Sequence, residues 1–293
     1  MDICFLGTAP GIPLPDRFGQ TIVVTTRGDG PDEEPGHILL DTGDGASSLL
    51  IRHGIDHRAI RAIFITHMHA DHHGGLVQVL KSSMHLERRD ELVIYAPAEG
   101  IPALQAYLDA SYLYPDWLGY PIRWESLAAV TEGAGVTLPG VVRVRAWPNE
   151  HLATARARFE RLGIDDHGRT FESYSLTLEQ HGVRVVYSGN LHGASGADEM
   201  ADYVAPADLL ICELAHVDPT ELGRFLAGRP IDQTVLTHIR PNWQGVPDEE
   251  IVALVHAGAG ETGIPGQVRL ARDGEICTAV VADTLRPMIG RNA

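Results

Sequence analysis

The chain has 293 residues, 44% of them hydrophobic, and a formal net charge of −16. This length is enough for a large hydrophobic core, and no linker rich in proline, glycine or serine divides it, so we predict one domain over residues 1–293. Proteins that bind nucleic-acid backbones usually carry a basic patch, whereas this acidic chain has one lysine, Lys81, and scattered arginines. The charge therefore argues against nucleic acid as a partner.

The sequence also gives an expectation for localisation. Its first residues, MDICFLGTAPG, lack the basic and apolar regions of a signal peptide, and no run of about 18 apolar residues could span a membrane. Cys4, Cys212 and Cys277 each lie in an apolar run, which is typical of buried reduced thiols. We therefore expect a cytoplasmic protein without a membrane partner.

Strand-like and helix-like segments alternate along the chain. Apolar and β-branched runs predict strands at residues 2–7, 21–26, 37–43, 62–66, 92–96, 141–147, 174–189, 208–214, 233–239 and 275–282. Helical periodicity falls at Ala46–His53, Gly75–Leu86, Ile101–Ser111, Ala197–Val204, Thr220–Ala227 and Asp248–Ala257. An acidic loop is expected at Thr26–His37. The pattern predicts an α/β fold in which two mixed sheets face each other with helices outside, a four-layer αββα arrangement.

The stretch THMHADHHGG (Thr66–Gly75) places four histidines and an aspartate where a predicted strand runs into a predicted helix. His67 and His69 are separated by one residue in an extended segment, so both imidazoles project to the same side. Two imidazoles need a third protein ligand to complete a tetrahedral zinc site with one open position. Asp71 and His72 follow as the chain turns, and they could hold a second metal or serve as a base.

Polar side chains also follow several other predicted strands, at the loops where α/β proteins place functional groups. They are Asp41, His151, Asn190, Glu213, His216 and His238. One histidine after a strand is commonly a packed or surface residue, but three of them, together with the histidine-rich motif, indicate a metal centre. We therefore predict His151 and His238 as metal ligands.

These segments together resemble the metallo-β-lactamase fold superfamily and, within it, the branch that includes the tRNA 3′-processing endonuclease ribonuclease Z. The resemblance rests on FLGTAPGIPLPDRFGQTIVV, ILLDTGDGA, ITHMHADHHGGL and LVIYAPAEG. It continues through SYSLTLE, VVYSGN, ADLLICELAH and VLTHI, and so covers most of the chain. It implies an αββα sandwich that hydrolyses its substrate with a metal-activated water.

The resemblance implies two metal sites. The first would be held by His67, His69 and His151, and the second by Asp71, His72 and His238. Asp41 would orient the histidines, Asp71 would also act as general base, and His216 would protonate the leaving group. Glu213 is expected to support a histidine rather than to bind metal. Zinc is the expected ion, one or two per chain, with manganese or iron as alternatives.

The sequence departs from this branch at two points. Asn190 replaces the bridging aspartate of the family, and its neutral oxygen is a weaker ligand, so the second site is expected to bind metal weakly or not at all unless His192 substitutes. The branch also carries a long arm that clamps tRNA. This arm is inserted in the sequence between the third histidine and that aspartate. Here residues 152–189 include two strands and leave only LATARARFERLGIDDHGRT. This remainder is too short for the arm, which argues against tRNA processing.

These features favour a metal-dependent hydrolase of a small molecule, first of all a phosphodiester. A carboxylic ester, lactone or thioester hydrolase is the alternative, because the same site serves acyl chemistry. Because Asn190 is a weaker ligand than aspartate, a non-catalytic metal-binding protein is a further alternative. A homodimer is also an open alternative. The aromatic segment Ser111–Trp124 is interpreted either as core packing or as a wall of the substrate site. Arg156, Arg158 and Arg161 either contact an anionic substrate or form a solvated helix face.

Overall fold

Two seven-stranded β-sheets pack face to face in the computed structural model, which describes residues 1–26, 28 and 35–281. The strands are β1 (Asp2–Gly7), β2 (Thr21–Thr26), β3 (Gly36–Leu40), β4 (Ile60–Phe64), β5 (Leu92–Ala96), β6 (Ile122–Ser126), β7 (Val136–Leu138), β8 (Val142–Pro148), β9 (Tyr174–Gln180), β10 (Val183–Tyr187), β11 (Leu209–Leu214), β12 (Gln233–Ile239), β13 (Gln267–Leu270) and β14 (Glu275–Thr278). The first sheet has the order β14-β1-β2-β3-β4-β5-β6. The second has the order β13-β12-β11-β10-β9-β8-β7.

Helices connect the strands and cover the outer faces of the sheets. The α-helices are α1 (Ala46–Arg52), α2 (Ala70–His73), α3 (Leu76–His85), α4 (Ile101–Ala110), α5 (Pro115–Leu118), α6 (Ala153–Leu162), α7 (Pro219–Leu226) and α8 (Asp248–Ala259). Short 3₁₀ helices lie at His57–Ala59, Leu127–Val130, Gly196–Met200, Pro241–Trp243 and Gly260–Thr262.

Buried apolar side chains form three clusters, which define the layers. The central cluster lies between the sheets and joins residues such as Phe64 of β4 to Leu176 of β9. A second cluster packs the outer face of the first sheet against α1, α3 and α4, and a third packs the outer face of the second sheet against α7 and α8. This burial of both faces of each sheet is the reason for the layered architecture. The predicted αββα sandwich is confirmed.

The direction of the strands places several loops at one edge of the sandwich. β3, β4 and β5 are parallel neighbours in the first sheet, and β10, β11 and β12 are parallel neighbours in the second. Because the carboxyl ends of parallel strands meet at the same edge of a sheet, the loops that follow them lie together. Asp41, Asn190 and His216 lie in these loops, and Glu213 and His238 lie at the carboxyl ends of β11 and β12.

The structure differs from the sequence-based elements at a few places. The run at 174–189 is the β9–β10 hairpin, and the helix expected at 197–204 is a 3₁₀ helix over Gly196–Met200. The strands β6, β7 and β13 were not predicted. β7 and β13 are only three and four residues long and lie at sheet edges, as does β6, so their sequences carry a weak signal.

Three further expectations concern the chain as a whole. The cysteines are buried and free, as predicted. None of the helices in the described part of the chain has the length and hydropathy needed to cross a bilayer. The predicted acidic loop at Thr26–His37 falls largely on residues outside the described ones.

Candidate metal centre

The histidine-rich motif begins directly after β4 and turns into the short helix α2. His67 is still extended and forms an isolated β-bridge with Ser173, whereas α2 begins at Ala70. Gly75 permits the turn, because a Cβ there would lie 2.2 Å from the carbonyl oxygen of Gly43. The backbone of Gly75 therefore approaches that of Gly43 more closely than any other residue type would allow.

Three imidazoles converge to form what we call the first group: His67, His69 and His151. Nε2 of His67 lies 3.0 Å from Nδ1 of His69, which lies 3.2 Å from Nε2 of His151. Zinc–nitrogen bonds of about 2.0–2.1 Å in a tetrahedron imply ligand–ligand distances of about 3.3 Å. The observed spacing fits a single metal ion with an open fourth position.

Hydrogen bonds on the outer nitrogens fix the tautomers of two of these histidines. Nδ1 of His151 donates to the carbonyl of Leu191 at 3.3 Å. Nδ1 of His67 donates at 3.1 Å to the hydroxyl of Thr66, because that hydroxyl gives its own proton to Asp41. Both Nε2 lone pairs are therefore free for a metal. Burial lowers the pKa of His151 to about 3 and that of His67 well below its usual value. Both rings are thus neutral at physiological pH, as metal ligands must be.

The second group consists of Asp71, His72 and His238. Oδ2 of Asp71 lies 3.3 Å from Nε2 of His72 and 3.6 Å from Nε2 of His238. Among the described residues, three buried polar atoms here have no hydrogen-bond partner: Nε2 of His72, Nδ1 of His238 and Oδ1 of Asn190. Unpaired buried polar atoms are costly, and a cation bound by Oδ2 of Asp71 would also give Nε2 of His72 a partner. The donor set therefore also fits a metal.

Asn190 lies beside the second group. Its amide nitrogen is 3.2 Å from Nε2 of His238, and its oxygen is buried. Asn190 thus contacts the second group through His238, with a neutral side chain. His192 does not take over this role: its Nε2 lies 3.1 Å from the hydroxyl of Thr154 on α6, and it belongs to neither group. The hypothesis that His192 substitutes as a ligand is not supported, because this contact turns its ring toward α6.

Asp41 lies behind the second group and is fully buried. It accepts hydrogen bonds from Nδ1 of His72 at 2.8 Å, from the backbone N–H of Thr66 at 2.8 Å and from the hydroxyl of Tyr187 at 2.7 Å. Burial alone would lower the pKa of His72, but the carboxylates of Asp41 and Asp71 outweigh it and raise that pKa to about 9. The side chain of Asp41 thus orients His72, and a metal bound at Nε2 of His72 would displace the proton that this raised pKa retains.

Two residues of the centre have left-handed backbone conformations. Asp41 has φ 59° directly after β3, and His238 has φ 54° within β12. His238 is the extra residue of a β-bulge, because the pairing of β11 with β12 shifts between Thr237 and Ile239. Bulges redirect side chains near active sites. Here the bulge carries the imidazole of His238 to the second group.

His216 lies at the rim between the two groups. Its ring centroid is 4.8 Å from that of His151 and 6.5 Å from that of His238. Buried Glu213 lies 3.2 Å from its Nδ1 and accepts its backbone N–H at 2.8 Å. Burial alone would raise the pKa of Glu213, but His216 lowers it, so the side chain is a carboxylate. Glu213 thus supports His216 and leaves Nε2 of that ring available.

Arg240 and Tyr187 were not identified from the sequence. The guanidinium of Arg240 donates to the carbonyls of Ala215 and His216 at 2.6 and 3.1 Å, which ties the His216 loop to the end of β12. Tyr187 lies three residues before Asn190. The sequence did carry a signal for it, because Tyr187 lies two residues after Val185 in β10 and both side chains therefore face the core between the sheets. An arginine after a strand carries no comparable signal, because its partners are backbone carbonyls.

A cavity of about 660 Å³ opens beside the first group. Its floor includes His69, His151 and His216, and one wall is α6, which contributes Arg158. Arg156 instead lies 3.9 Å from Glu150, so only part of the arginine series faces the site. Leu113, Leu118 and Tyr120 of the aromatic segment pack in the outer core of the first sheet. The core-packing interpretation of Ser111–Trp124 therefore holds for these side chains.

Residues 37–257 match the Beta-lactamase superfamily domain, and the chain belongs to that superfamily. Curated relatives include Ribonuclease Z of Pseudomonas putida, 27% identical over 93% of this chain and 95% of that protein, and Ribonuclease Z of Marinobacter nauticus, 26% identical over 93% and 94%. Among solved structures, human tRNase Z, short form, is 20% identical, with 96% of this chain and 100% of that chain covered and a TM-score of 0.66. A diphosphatase from the PhnP family is 17% identical, with coverage of 94% and 97% and a TM-score of 0.64. The predicted resemblance to the ribonuclease Z-like branch is confirmed.

We predict that the protein purifies with zinc or another divalent ion in the first group. His69→Ala removes the nitrogen that lies between the other two, so it should lower the bound metal by about one ion per chain. Elemental analysis of the two purified proteins measures this. His85→Ala, at the far end of α3, is the matched control and should leave the metal content unchanged. Equal metal content in wild type and His69→Ala would contradict the assignment.

We further predict that the second group is empty or partly filled at stoichiometric zinc. A carboxylate at position 190 would add a full negative charge beside His238, so Asn190→Asp should tighten the second site by about tenfold or more, equivalent to about 1.4 kcal/mol. Calorimetric zinc titration measures both sites. His192→Ala should leave them unchanged, since that ring contacts Thr154. Two tight sites in the wild type, unaltered by Asn190→Asp, would show that position 190 does not control the second metal.

Proposed function

We propose that the protein is a metal-dependent phosphodiesterase that acts on a small molecule. The observation that supports this most directly is the role of the segment between His151 and β9. It is a helix of ten residues, α6, followed by a short loop, and it forms the wall of the cavity beside the first group. A recess of this size, open to solvent on one side, accommodates a compact substrate. Phosphorus–oxygen bonds are favoured because relatives and structural neighbours are named as ribonucleases and a diphosphatase.

The residues of the centre suit hydrolysis with proton transfer on both sides of the phosphorus. Bound divalent ions, zinc or alternatively manganese or iron, would lower the pKa of water and neutralise charge on the phosphoryl oxygens. Asp71 takes a proton from the attacking water as the new oxygen–phosphorus bond forms. His216 donates a proton to the oxygen of the leaving group as its bond to phosphorus breaks. Glu213 holds His216 in place through Nδ1, so that Nε2 carries out this transfer.

The mainly apolar cavity wall supports a second candidate, a carboxylic ester, lactone or thioester hydrolase. An acyl chain would fit such a wall, and the same metal centre can activate water for attack on a carbonyl carbon. Nucleic acid is disfavoured as a substrate because the chain has a net charge of −16 and α6 replaces an extended arm. The non-catalytic alternative rests on Asn190 alone.

Parallel assays of the purified protein test these candidates. Bis-p-nitrophenyl phosphate, p-nitrophenyl acetate and a precursor tRNA are each given to wild type and to His69→Ala. We expect turnover of the phosphodiester that is lost in the variant, with little or none of the other two. Faster hydrolysis of the acetate would favour the acyl alternative, and processing of the tRNA would favour the nuclease. Inertness toward all three despite bound metal would favour the non-catalytic protein.

The role of His216 predicts a dependence on the leaving group. A proton donor matters most when the leaving oxygen is basic, so His216→Ala should reduce kcat by about 10²- to 10⁴-fold for methyl phenyl phosphate. The loss should be less than about tenfold for methyl p-nitrophenyl phosphate, whose leaving group departs without a proton. Steady-state kinetics on this pair measures the difference. An equal loss on both substrates would contradict proton donation and indicate only a structural role.

A further inference from the structure

We propose that the cavity beneath α6 binds an apolar leaving group, so that one product of the reaction is a hydrophobic alcohol or phenol. This inference rests on the proposed phosphodiesterase function and defines its substrate class. The cavity is about 660 Å³, a volume that suits a small-molecule group. Its wall is formed by the apolar side chains Leu152, Ala155, Phe159, Leu162, Ile164 and Leu191.

The position of the cavity assigns it to the leaving-group side. Among the described residues that line it are His69 and His151 of the first group and His216, whereas Asp71, His72 and His238 do not line it. His216 protonates the leaving oxygen in the proposed reaction. The substituent on that oxygen is therefore adjacent to His216 and extends into the cavity.

The chemistry of the wall determines what it can bind. Its apolar side chains have no hydrogen-bonding groups, so polar edges of a nucleobase or a sugar that face them would lose their bonds to water without replacement. An alkyl or aryl group loses nothing of this kind and gains from leaving water. The polar side chains of the cavity beyond the histidines of the floor are Thr154, Arg158 and His192. Thr154 and His192 contact each other at 3.1 Å.

Several contacts hold the two walls of the cavity in place without substrate. Glu199 accepts the backbone N–H of Glu150 at 2.7 Å and that of His192 at 2.9 Å, and so links the chain before α6 to the opposite wall. The ring of Phe159 packs edge-on against Phe171, with 5.4 Å between centroids. Glu99 in turn accepts the backbone N–H groups of residues 170–172 at 2.7–3.1 Å. The pocket is therefore preformed, so little ordering of the protein opposes the binding of an apolar group.

Two substrate series locate the apolar group. In the first, methyl 4-alkylphenyl phosphates with methyl, butyl and octyl chains vary the leaving group at nearly constant basicity. In the second, the corresponding alkyl p-nitrophenyl phosphates vary the group that is retained. We expect kcat/KM to rise about tenfold or more from methyl to butyl in the first series, because each buried methylene contributes up to about fourfold. The second series should be nearly flat.

A matched pair of variants tests the cavity itself. Ala155 lines it and is half-buried, whereas Ala157 lies on the exposed side of the same helix. Ala155→Phe should reduce the butyl-to-methyl ratio of the first series to near one, and Ala157→Phe should leave that ratio at its wild-type value. If Ala155→Phe does not fold, Leu162→Asp provides the same test from the end of α6. A ratio near one in the wild type, or a wild-type ratio in folded Ala155→Phe, would overturn the proposal.

A binding measurement separates this inference from the proposed function. Calorimetric titration of the purified protein with 4-butylphenol requires no turnover. We expect 4-butylphenol to bind wild type and Ala157→Phe, and to bind Ala155→Phe at least about tenfold more weakly. In wild type and Ala157→Phe, 4-methylphenol should bind more weakly than 4-butylphenol. Binding of 4-butylphenol without phosphodiester hydrolysis would support the apolar pocket and refute the proposed reaction. Hydrolysis of the methyl substrates with no binding of 4-butylphenol and no chain-length effect would refute the pocket and keep the reaction.

Discussion

Asp71→Ala is expected to lower kcat by about 10³-fold or more, while metal stays bound at the first group. Burial alone would raise the pKa of Asp71, but its contacts with His72 and His238 override this and hold that pKa well below its usual range. The side chain is therefore a carboxylate across the physiological pH range, available both to the second group and to the proton of the attacking water. Steady-state kinetics and elemental analysis of the same preparation measure the two effects.

Asp44→Ala provides the comparison for this experiment. Asp44 is an exposed aspartate in the loop after β3 and is in neither group, so its removal should leave kcat close to the wild-type value. Near-normal turnover in Asp71→Ala would rule out the base role. Loss of metal from both groups in that variant would instead show that Asp71 is needed to assemble the centre.

The second large effect is expected at Asp41. Asp41→Ala should lower the free energy of unfolding by about 3–5 kcal/mol, because it leaves a buried charged partner and other buried donors without an acceptor. Those donors are Nδ1 of His72, the hydroxyl of Tyr187 and the N–H of Thr66. Urea unfolding of the metal-free proteins measures the difference without a contribution from ion binding.

Tyr187→Phe is the informative companion to Asp41→Ala. It removes only one of the donors to Asp41 and keeps the ring in the core between the sheets, so the loss should be about 1 kcal/mol. Equal destabilisation by the two substitutions would show that the carboxylate of Asp41 contributes little beyond its bond to Tyr187. An effect of Asp41→Ala below about 1 kcal/mol would contradict the proposed support of the centre.

The parts of the metal centre that were predictable are those encoded locally. His67, His69, Asp71 and His72 lie within six residues of one another, and a strand followed by a turn fixes their relative directions. His151 could be added because it follows a strand whose alternating pattern, VRVRAWP, is legible in the sequence. These features depend on neighbours along the chain rather than on tertiary contacts.

The unpredicted parts depend on contacts between distant residues. Tyr187 reaches Asp41 across 146 positions of sequence, and only the packing of the two sheets brings them together. The contact of His192 with Thr154 depends on where α6 lies, and α6 has no buried residue that would mark it in the sequence. The bulge at His238 depends on the pairing of β12 with β11. Sequence patterns report which face of an element is buried, but not which particular atoms meet.

The bulge at His238 has a consequence for how this protein would respond to selection or engineering. A non-glycine residue in a left-handed conformation costs about 1–2 kcal/mol, and the ring of His238 also buries an unpartnered Nδ1 among the described residues. A screen for thermal stability alone would therefore select replacements of His238, and the protein would lose a predicted metal ligand. Val141 is also left-handed, with φ 57°, but it is 55% exposed and belongs to neither group. Val141→Gly should therefore stabilise the fold and leave turnover unchanged. Relief of backbone strain affects stability alone at position 141, whereas at position 238 it also affects metal binding.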